Sequence, residues 1–350
     1  MACRPGTGTA FALSGSFVTV GIGPVKKQAN AQHFSKHLVA AFLAVALFLP
    51  AAMSASAAAD KVDVIVVFDH QPDGEDDARL NGLGASISRT YQALPMRAIS
   101  VPEHVVDKLA NSKGVRFVAN DGSVSSQGYI IDDSDLQPIS FENGNSGLET
   151  ANVPFIDGDT KVQSLNQAGI AVIDSGVTSH WDLNVVNRYN CLVSSFTGKF
   201  GKQTTCIDAV EMNTATADLD PFGHGTHVAG VASGDGSVYY GKYRGVTNKL
   251  PIYSFQVLNN LGQGQVSDVL AALDWILVNG SLTGIRVVNM SLGKGIEESN
   301  ATDPLVLAVE QVWDAGYVVV ASAGNYGLFG NFSITSPGNS RKIITVGSLT

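Results

Sequence analysis

From residue 60 onward the apolar positions fall into short blocks, and their spacing alternates between the period of a strand and that of a helix. Residues 62 to 69 (VDVIVVFD) form a β-branched run that predicts a strand. Residues 74 to 83 are polar and acidic and predict an exposed helix. Ser86 to Tyr91 and Met96 to Val101 read as two further strands. Pro102 stands where the first turn of a helix tolerates proline, and Val105, Val106, Leu109 and Ala110 follow at helical spacing. Val115 to Ala119 closes the block with a fourth strand. The order β-α-β-β-α-β is that of the ferredoxin-like split unit. A module of about sixty residues is marginal for a stable core. Ahead of a larger domain it suggests a folding assistant or inhibitor, with a plain accessory domain as the alternative.

Residues 122 to 155 lose the pattern. They are rich in Gly, Ser, Asn and Asp, and read as a linker or extended arm, placed at 124–155. Asp132, Asp133 and Asp135 read there as solvated surface rather than a metal site. The alternation then resumes on a larger scale. Strands are predicted at Gly169–Ile173, Ile252–Leu258, Gly284–Met290, Tyr317–Ala321 and Ile343–Val346. Helices are predicted at His227–Ser233, Val266–Leu277 and Pro304–Trp313. Continuous apolar strands alternating with helices imply an α/β fold, a parallel sheet with helices on both faces. In such sheets function gathers at the carboxyl ends of the strands.

The first 59 residues carry a different pattern. Leu38 to Leu49 is an unbroken apolar run, preceded by Lys26, Lys27 and Lys36 and followed by Pro50 and small-residue Ala-x-Ala sites. This reads as a secretory signal over residues 1–59, too short for a comfortable membrane span. No later stretch is read as long enough to cross a membrane. The expectation is an exported protein, secreted or periplasmic, with no membrane association after signal removal.

Charge narrows the partners. Lys and Arg total 22 against 31 Asp and Glu, and four of the basic residues precede Asp60, leaving 18 against 31. So acidic a body argues against nucleic acid, because phosphate binding needs clustered Lys and Arg. Of three cysteines, Cys3 falls in the signal region. Cys191 and Cys206 lie in a loop-like stretch and are expected to pair in an oxidising compartment; two unpaired thiols are the alternative.

Candidate chemistry sits where the strands end. Asp174 follows the strand GIAVI, where a carboxylate can orient a histidine, bind a metal or cap a loop. His224 and His227 lie in His224-Gly225-Thr226-His227-Val228-Ala229-Gly230, a helix opening rich in small residues. A metal reading of His-x-x-His lacks the glutamate of H-E-x-x-H. Asn325 follows YVVVASAG, where a side-chain amide can donate to a developing oxyanion or serve as a turn residue.

Asp174 in V-I-D-S-G, His224 in G-H-G-T-H-V-A-G, Asn289 to Gly293 in N-M-S-L-G and Asn325 in A-S-A-G-N stand together in an order that resembles the subtilisin-like serine proteases. The resemblance runs from Ala168 to Thr350, and the catalytic domain is placed at 156–350. The small module at 60–123 resembles the inhibitory propeptide of that family. The resemblance implies that Asp174 holds the imidazole of His224, which acts as general base and then general acid. It implies Asn325 as oxyanion donor and His227 as a packing residue of the helix. It implies Ser291, Leu292 and Gly293 as one substrate-binding edge, with Leu261 to Gly264, including Gly262 and Gly264, as the other.

Three departures qualify it. Fifty positions separate Asp174 from His224, an excess read as a surface loop holding Cys191 and Cys206. Asp182 stands where some members bind calcium, so a structural Ca2+ ion is an expectation there, with no cofactor needed for the chemistry. The nucleophile motif G-T-S-M-A is absent and no Gly-Thr-Ser triplet occurs in the 350 residues. Ser336 and Ser348 fit poorly. The leading expectation is a secreted serine endopeptidase cut short before its nucleophile, inactive as given. A pseudoprotease that binds peptides and a propeptide-type protease inhibitor are the alternatives. The expected partners are protein or peptide substrates and the chain's own propeptide, with a monomeric state.

Overall fold

The computed structural model describes residues 60–127, 168–192, 206–208, 220–329 and 333–347. The signal region and most of the linker lie outside these residues.

The small module is a four-stranded antiparallel sheet. Its strands are β1 (Lys61–Phe68), β2 (Ser86–Thr90), β3 (Met96–Pro102) and β4 (Val115–Asn120), in the order β2-β3-β1-β4. Two helices accompany it, α1 (Gly74–Gly82) and α2 (Val106–Ala110). This is the split unit predicted from the apolar spacing. Helix α1 starts where it does because Asp73 caps it, accepting from the backbone N–H groups of Glu75 and Asp76, while Asp76 reaches back to the N–H of Asp73.

The chain does not become a linker after β4. Ser123–Ser126 forms β5, the middle strand of a second sheet. Its antiparallel neighbours are β10 (Gln263–Gln265) and β12 (Leu292–Gly293). Four residues, three Ser around one Val, carry too weak a pattern to announce a strand, and their partners lie more than 130 residues away.

The third sheet has seven strands. Besides β6 (Gly169–Asp174), it holds β7 (Asn184–Asn190), β8 (Ile207–Asp208), β9 (Pro251–Gln256), β11 (Ile285–Met290), β13 (Val318–Ser322) and β14 (Ile344–Val346). Their order is β14-β13-β11-β6-β9-β7-β8, parallel throughout except for the β7–β8 pair. Strand β6 is buried at every position, as a central parallel strand must be. The stretch between Asp174 and His224, expected as a surface loop from its length, instead holds β7, whose sequence NVVNRYN is polar at both ends. It pairs with β9 and packs the Tyr189 ring against Phe255 at 4.8 Å. Cys191 therefore sits at the end of a sheet strand. It is joined to Cys206, and both cysteines are buried in the main core.

Three helices flank this sheet: α3 (His224–Ser233), α4 (Val266–Thr283) and α5 (Pro304–Asp314). Helix α3 starts three residues earlier than its apolar spacing indicated. Helix α4 runs six residues past its prediction and stops at Gly284, which adopts φ 83°. By length and hydropathy it could cross a membrane, but 61% of it is buried inside the protein, where it is the core helix.

The module rests on α4. The buried Asp274 carboxylate accepts three consecutive backbone N–H groups, those of Gln92, Ala93 and Leu94, at 2.7–3.0 Å. Burial raises the Asp274 pKa, and these N–H groups oppose the rise. Arg89 pairs with Asp268 at 2.6 Å, both side chains being buried, and Tyr91 donates to the carbonyl of Ser267 at 3.1 Å. The end of the module is tied down too: Ser267 N–H donates to Asp121 at 2.8 Å and Val266 N–H to the Gly122 carbonyl at 3.0 Å.

Candidate active site

Asp174 is the last residue of β6 and is fully buried. His224 is the first residue of α3, and its Nδ1 lies 2.8 and 2.9 Å from the two Asp174 carboxylate oxygens. A carboxylate only accepts, so Nδ1 carries the proton and Nε2 is the basic nitrogen. Among the described residues nothing donates to Nε2. The Asp174 hydrogen bond raises the His224 pKa above 6.5, and partial burial works against that rise.

The small residues after His224 have a steric reason. A Cβ on Gly225 would stand 2.0 Å from the Gly176 carbonyl oxygen and 3.1 Å from Asp174 Cβ. Only glycine lets the first turn of α3 press onto the loop after β6. Two further residues that the sequence reading passed over hold this turn. Buried Asp220 accepts Gly223 N–H at 2.9 Å, Thr226 N–H at 2.7 Å and the Thr226 hydroxyl at 2.6 Å, acting as the cap that Gly223 cannot supply. Ser175 Oγ donates to Asp220 at 2.7 Å and accepts Gly225 N–H at 3.0 Å, linking the two aspartates. An acidic residue just before a helix opening was the available signal for Asp220.

Asn325 lies on the loop after β13. Gly324 turns that loop with φ 99°, and a Cβ there would collide with Thr335 at 2.7 Å. Strand β5 runs between the two edges named in the sequence, in the register Val124↔Gly264, Ser125↔Gln263 and Ser126↔Leu292. Ser126 N–H donates to the Gly262 carbonyl at 2.9 Å, and Gln127 N–H to the Ser291 carbonyl at 3.0 Å. The Asn289 side chain donates to Ser291 Oγ at 3.0 Å and steadies that edge. Asn325 Nδ2 donates to the Gln127 carbonyl oxygen, and Asn325 N–H to Gln127 Oε1 at 3.1 Å. Phe222 connects the two halves. Its ring centroid is 6.3 Å from that of His224, and its edge lies 2.6 Å from where Gly262 would carry a Cβ.

His227 does not pack into the core. It is exposed and lines a cavity of about 560 Å³ with His180, Asp182, Tyr243 and Arg244. Along α3 the position three residues on from His224 is turned about 60° away from it, which is enough to leave His227 in solvent. Ser336 is buried and bridges to Lys294 through the backbone.

The donors around Asp182 do not fit a calcium ion. Its Oδ1 accepts the Ser237 hydroxyl at 2.8 Å and Val238 N–H at 2.9 Å. Calcium needs converging oxygens; here hydrogen-bond donors point at the carboxylate. The nearby cation is the Lys249 ammonium, 2.8 Å from both the Trp181 carbonyl and Asp235. Among the described residues no group of three or more His, Cys, Asp or Glu side chains is arranged to hold a metal ion. Lys249, Ser237 N–H and the Ser237 side chain lower the Asp235 pKa to about 2, against a smaller desolvation than theirs combined. A carboxylate with a lowered folded pKa stabilises above its unfolded pKa and loses that contribution as pH falls. The protection factor of the Ser237 amide, which donates to Asp235, should therefore fall as pH drops from about 4 toward 2. Hydrogen exchange checks this; unchanged protection across that window contradicts it.

A sequence model of the subtilase family matches residues 166–350. Among curated relatives, the chain is 34% identical over 194 residues to the serine protease AprX of Bacillus subtilis, covering 53% of this chain and 40% of that protein. It is 27% identical to the minor extracellular protease Epr of the same organism, covering 76% and 36% respectively. It is 35% identical to subtilisin DY of Bacillus licheniformis, covering 56% and 63%. The chain thus spans between about a third and two thirds of the length of these relatives. The crystal structure of the epidermin leader peptide processing serine protease of Staphylococcus aureus shares the fold, with a TM-score of 0.53 at 20% identity over 83% of this chain and 69% of that one.

Proposed function

Because this chain belongs to the subtilase family, we propose that it forms the substrate cleft and the Asp–His pair of an exported serine endopeptidase, with residues 60–127 acting as an inhibitory propeptide. The observation that carries this reading is the occupied cleft. An extended segment lies between β10 and β12 with the Gln127 carbonyl on the Asn325 amide, on an element braced through Phe222 to His224. Main-chain pairing on both sides is how a protease holds a peptide of variable sequence.

The roles follow from position. His224 Nε2 takes the proton of a serine hydroxyl as that oxygen attacks a carbonyl carbon. Asp174 fixes the tautomer and stabilises the imidazolium. Asn325 donates to the oxyanion as charge develops. The C–N bond then breaks, with His224 returning the proton to the leaving amine, and water releases the acyl group from the serine. The 350 residues hold no Gly-Thr-Ser triplet. By themselves they are proposed to bind without cutting, and tests of turnover use the protein with its serine nucleophile.

Casein hydrolysis by that protein is the first test. Inhibition by serine-directed reagents is expected; no hydrolysis, or hydrolysis that those reagents leave untouched, refutes the reading. Asn325→Ala should lower kcat by about 10²–10³-fold, with KM changing little, because the donor acts mainly on the transition state. An unchanged kcat removes Asn325 from its role.

The acidic limb of kcat/KM gives a third expectation. His224 acts as base only when neutral, and Asp174 holds its pKa above 6.5. The limb should therefore lie above pH 6.5 and move downward in Asp174→Asn, measured on the residual activity. A limb unmoved by that substitution contradicts the assignment.

A further inference from the structure

We infer that Asp220 is a positioning residue for the Asp174–His224 pair: it claims the one proton of the Ser175 hydroxyl and so leaves the Asp174 carboxylate to His224. The inference rests on the reading of His224 as the base of this site and adds a second carboxylate behind it.

The residues come from two segments. Asp174 ends β6, Ser175 follows it, and Asp220 stands four positions ahead of His224. Packing fixes their separation. The tight approach of Gly225 to the Gly176 carbonyl holds α3 on the loop after β6, and Thr226 Oγ1 adds a tie by accepting Thr178 N–H at 2.9 Å. Asp174, Ser175 and Asp220 are all buried, none being more than 5% exposed, so bulk water does not compete for the hydroxyl proton.

Ser175 Oγ stands between the two carboxylates, 2.7 Å from Asp220 Oδ1 and 3.2 Å from Asp174 Oδ1. A hydroxyl has one proton to give. Hydrogen bonds between oxygens span about 2.5–3.0 Å, so the shorter contact holds the proton and the longer one does not. Asp220 then uses both oxygens twice: Oδ1 accepts the Ser175 hydroxyl and Gly223 N–H, and Oδ2 accepts the N–H and the hydroxyl of Thr226. Among the described residues, the Asp174 side chain is left with Ser175 N–H at 2.7 Å and His224 Nδ1.

The consequence is electrostatic. A carboxylate that accepts fewer other hydrogen bonds keeps more of its charge for the imidazolium. The His224 pKa is raised first by the Asp174 hydrogen bond, against desolvation. The charges of Asp174 at the end of β6 and of Asp220 on the loop before α3 raise it further; these are the two charged groups that act on the ring among the described residues. Neutralising Asp220 removes its own charge and frees Ser175 to turn its proton onto Asp174. Both changes lower the His224 pKa.

The test is the histidine titration by NMR of the 350-residue chain, with the His224 signal assigned by its loss in His224→Gln. It needs no nucleophile. The midpoint should fall by about 0.5 pH unit or more in Asp220→Asn. In a Ser175→Ala background the same replacement should shift it less than half as far, because no hydroxyl is left to turn. An unmoved midpoint in a folded Asp220→Asn overturns the inference, and so does an equal shift in both backgrounds. If Asp220→Asn does not fold, Ser175→Ala decides. Its midpoint should move by less than about 0.3 unit; a rise of about 0.5 unit or more would put the proton on Asp174 and overturn the inference. In the protein with its serine nucleophile, the acidic limb of kcat/KM should follow the NMR midpoints. A limb that stays while the midpoint moves overturns the inference and leaves the protease reading intact. A protein that hydrolyses nothing refutes the protease reading, while the titrations still decide whether Asp220 holds the pair.

Discussion

Replacing His224 by alanine, in the protein with its serine nucleophile, is expected to lower kcat by about 10⁴–10⁶-fold, the range over which removal of a triad member acts. Among the described residues of this site the imidazole is the one group that can take and return a proton near neutral pH, and Asp174 acts through it. The fold should survive the change. The first turn of α3 is capped by Asp220, not by His224, so its N–H groups keep their partners. Thermal denaturation of His224→Ala should therefore match the parent within a few degrees while turnover is lost. Retained casein hydrolysis would refute the assignment outright.

Replacing Arg89 by alanine should have the largest effect on stability. Arg89 and Asp268 are a buried pair at 2.6 Å between the small module and α4, and Arg89 also donates to the carbonyl of Cys191. Removing one partner leaves a buried charge without its counter-ion, which costs about 3–5 kcal/mol. The measurement is chemical denaturation of the unprocessed protein in an Asp174→Asn background, so that cleavage does not intervene. A double replacement, Arg89→Met with Asp268→Leu, removes both charges and should recover most of the loss. A loss under about 1 kcal/mol in the single variant, the scale of an exposed pair, would show that the pair does not hold the module.

What was legible in the sequence was whatever a single block of residues could announce. Strand β6 shows itself as GIAVI because a buried parallel strand is apolar at every position. The opening of α3 shows itself because Gly225 leaves no room for any other residue against Gly176. Strand β7 stayed hidden, since its ends are polar and its place in the sheet depends on β9, more than sixty residues on. Strand β5 stayed hidden for a stronger form of the same reason. Ser123–Ser126 has no local preference for a strand, and its conformation comes from two edges contributed by distant segments. Asp220 and Ser175 were missed because their role is to hold backbone groups of a turn, visible only once that turn is formed. The carboxylate of Asp182 matched a motif position, but its donors, Ser237 and Val238, come from a loop that no motif describes.

These points converge on one picture. The small module grips α4 through Asp274, Arg89 and Tyr91, and in doing so lays β5 along the cleft. Just after the strand, the Gln127 carbonyl accepts from Asn325. If the module folds on the catalytic part as this arrangement implies, occupation of the cleft follows from the docking itself.

The most direct test of the central claim is labelling of the processed protein with a fluorophosphonate probe, which phosphonylates a serine activated by a neighbouring base, with loss of fluoride. The account predicts modification of one serine, found by mass spectrometry, and its loss in both His224→Ala and Asp174→Asn after residues 60–127 of each variant have been removed by an added protease. Labelling that persists in those variants, or casein hydrolysis by a protein in which no serine is modified, would contradict it.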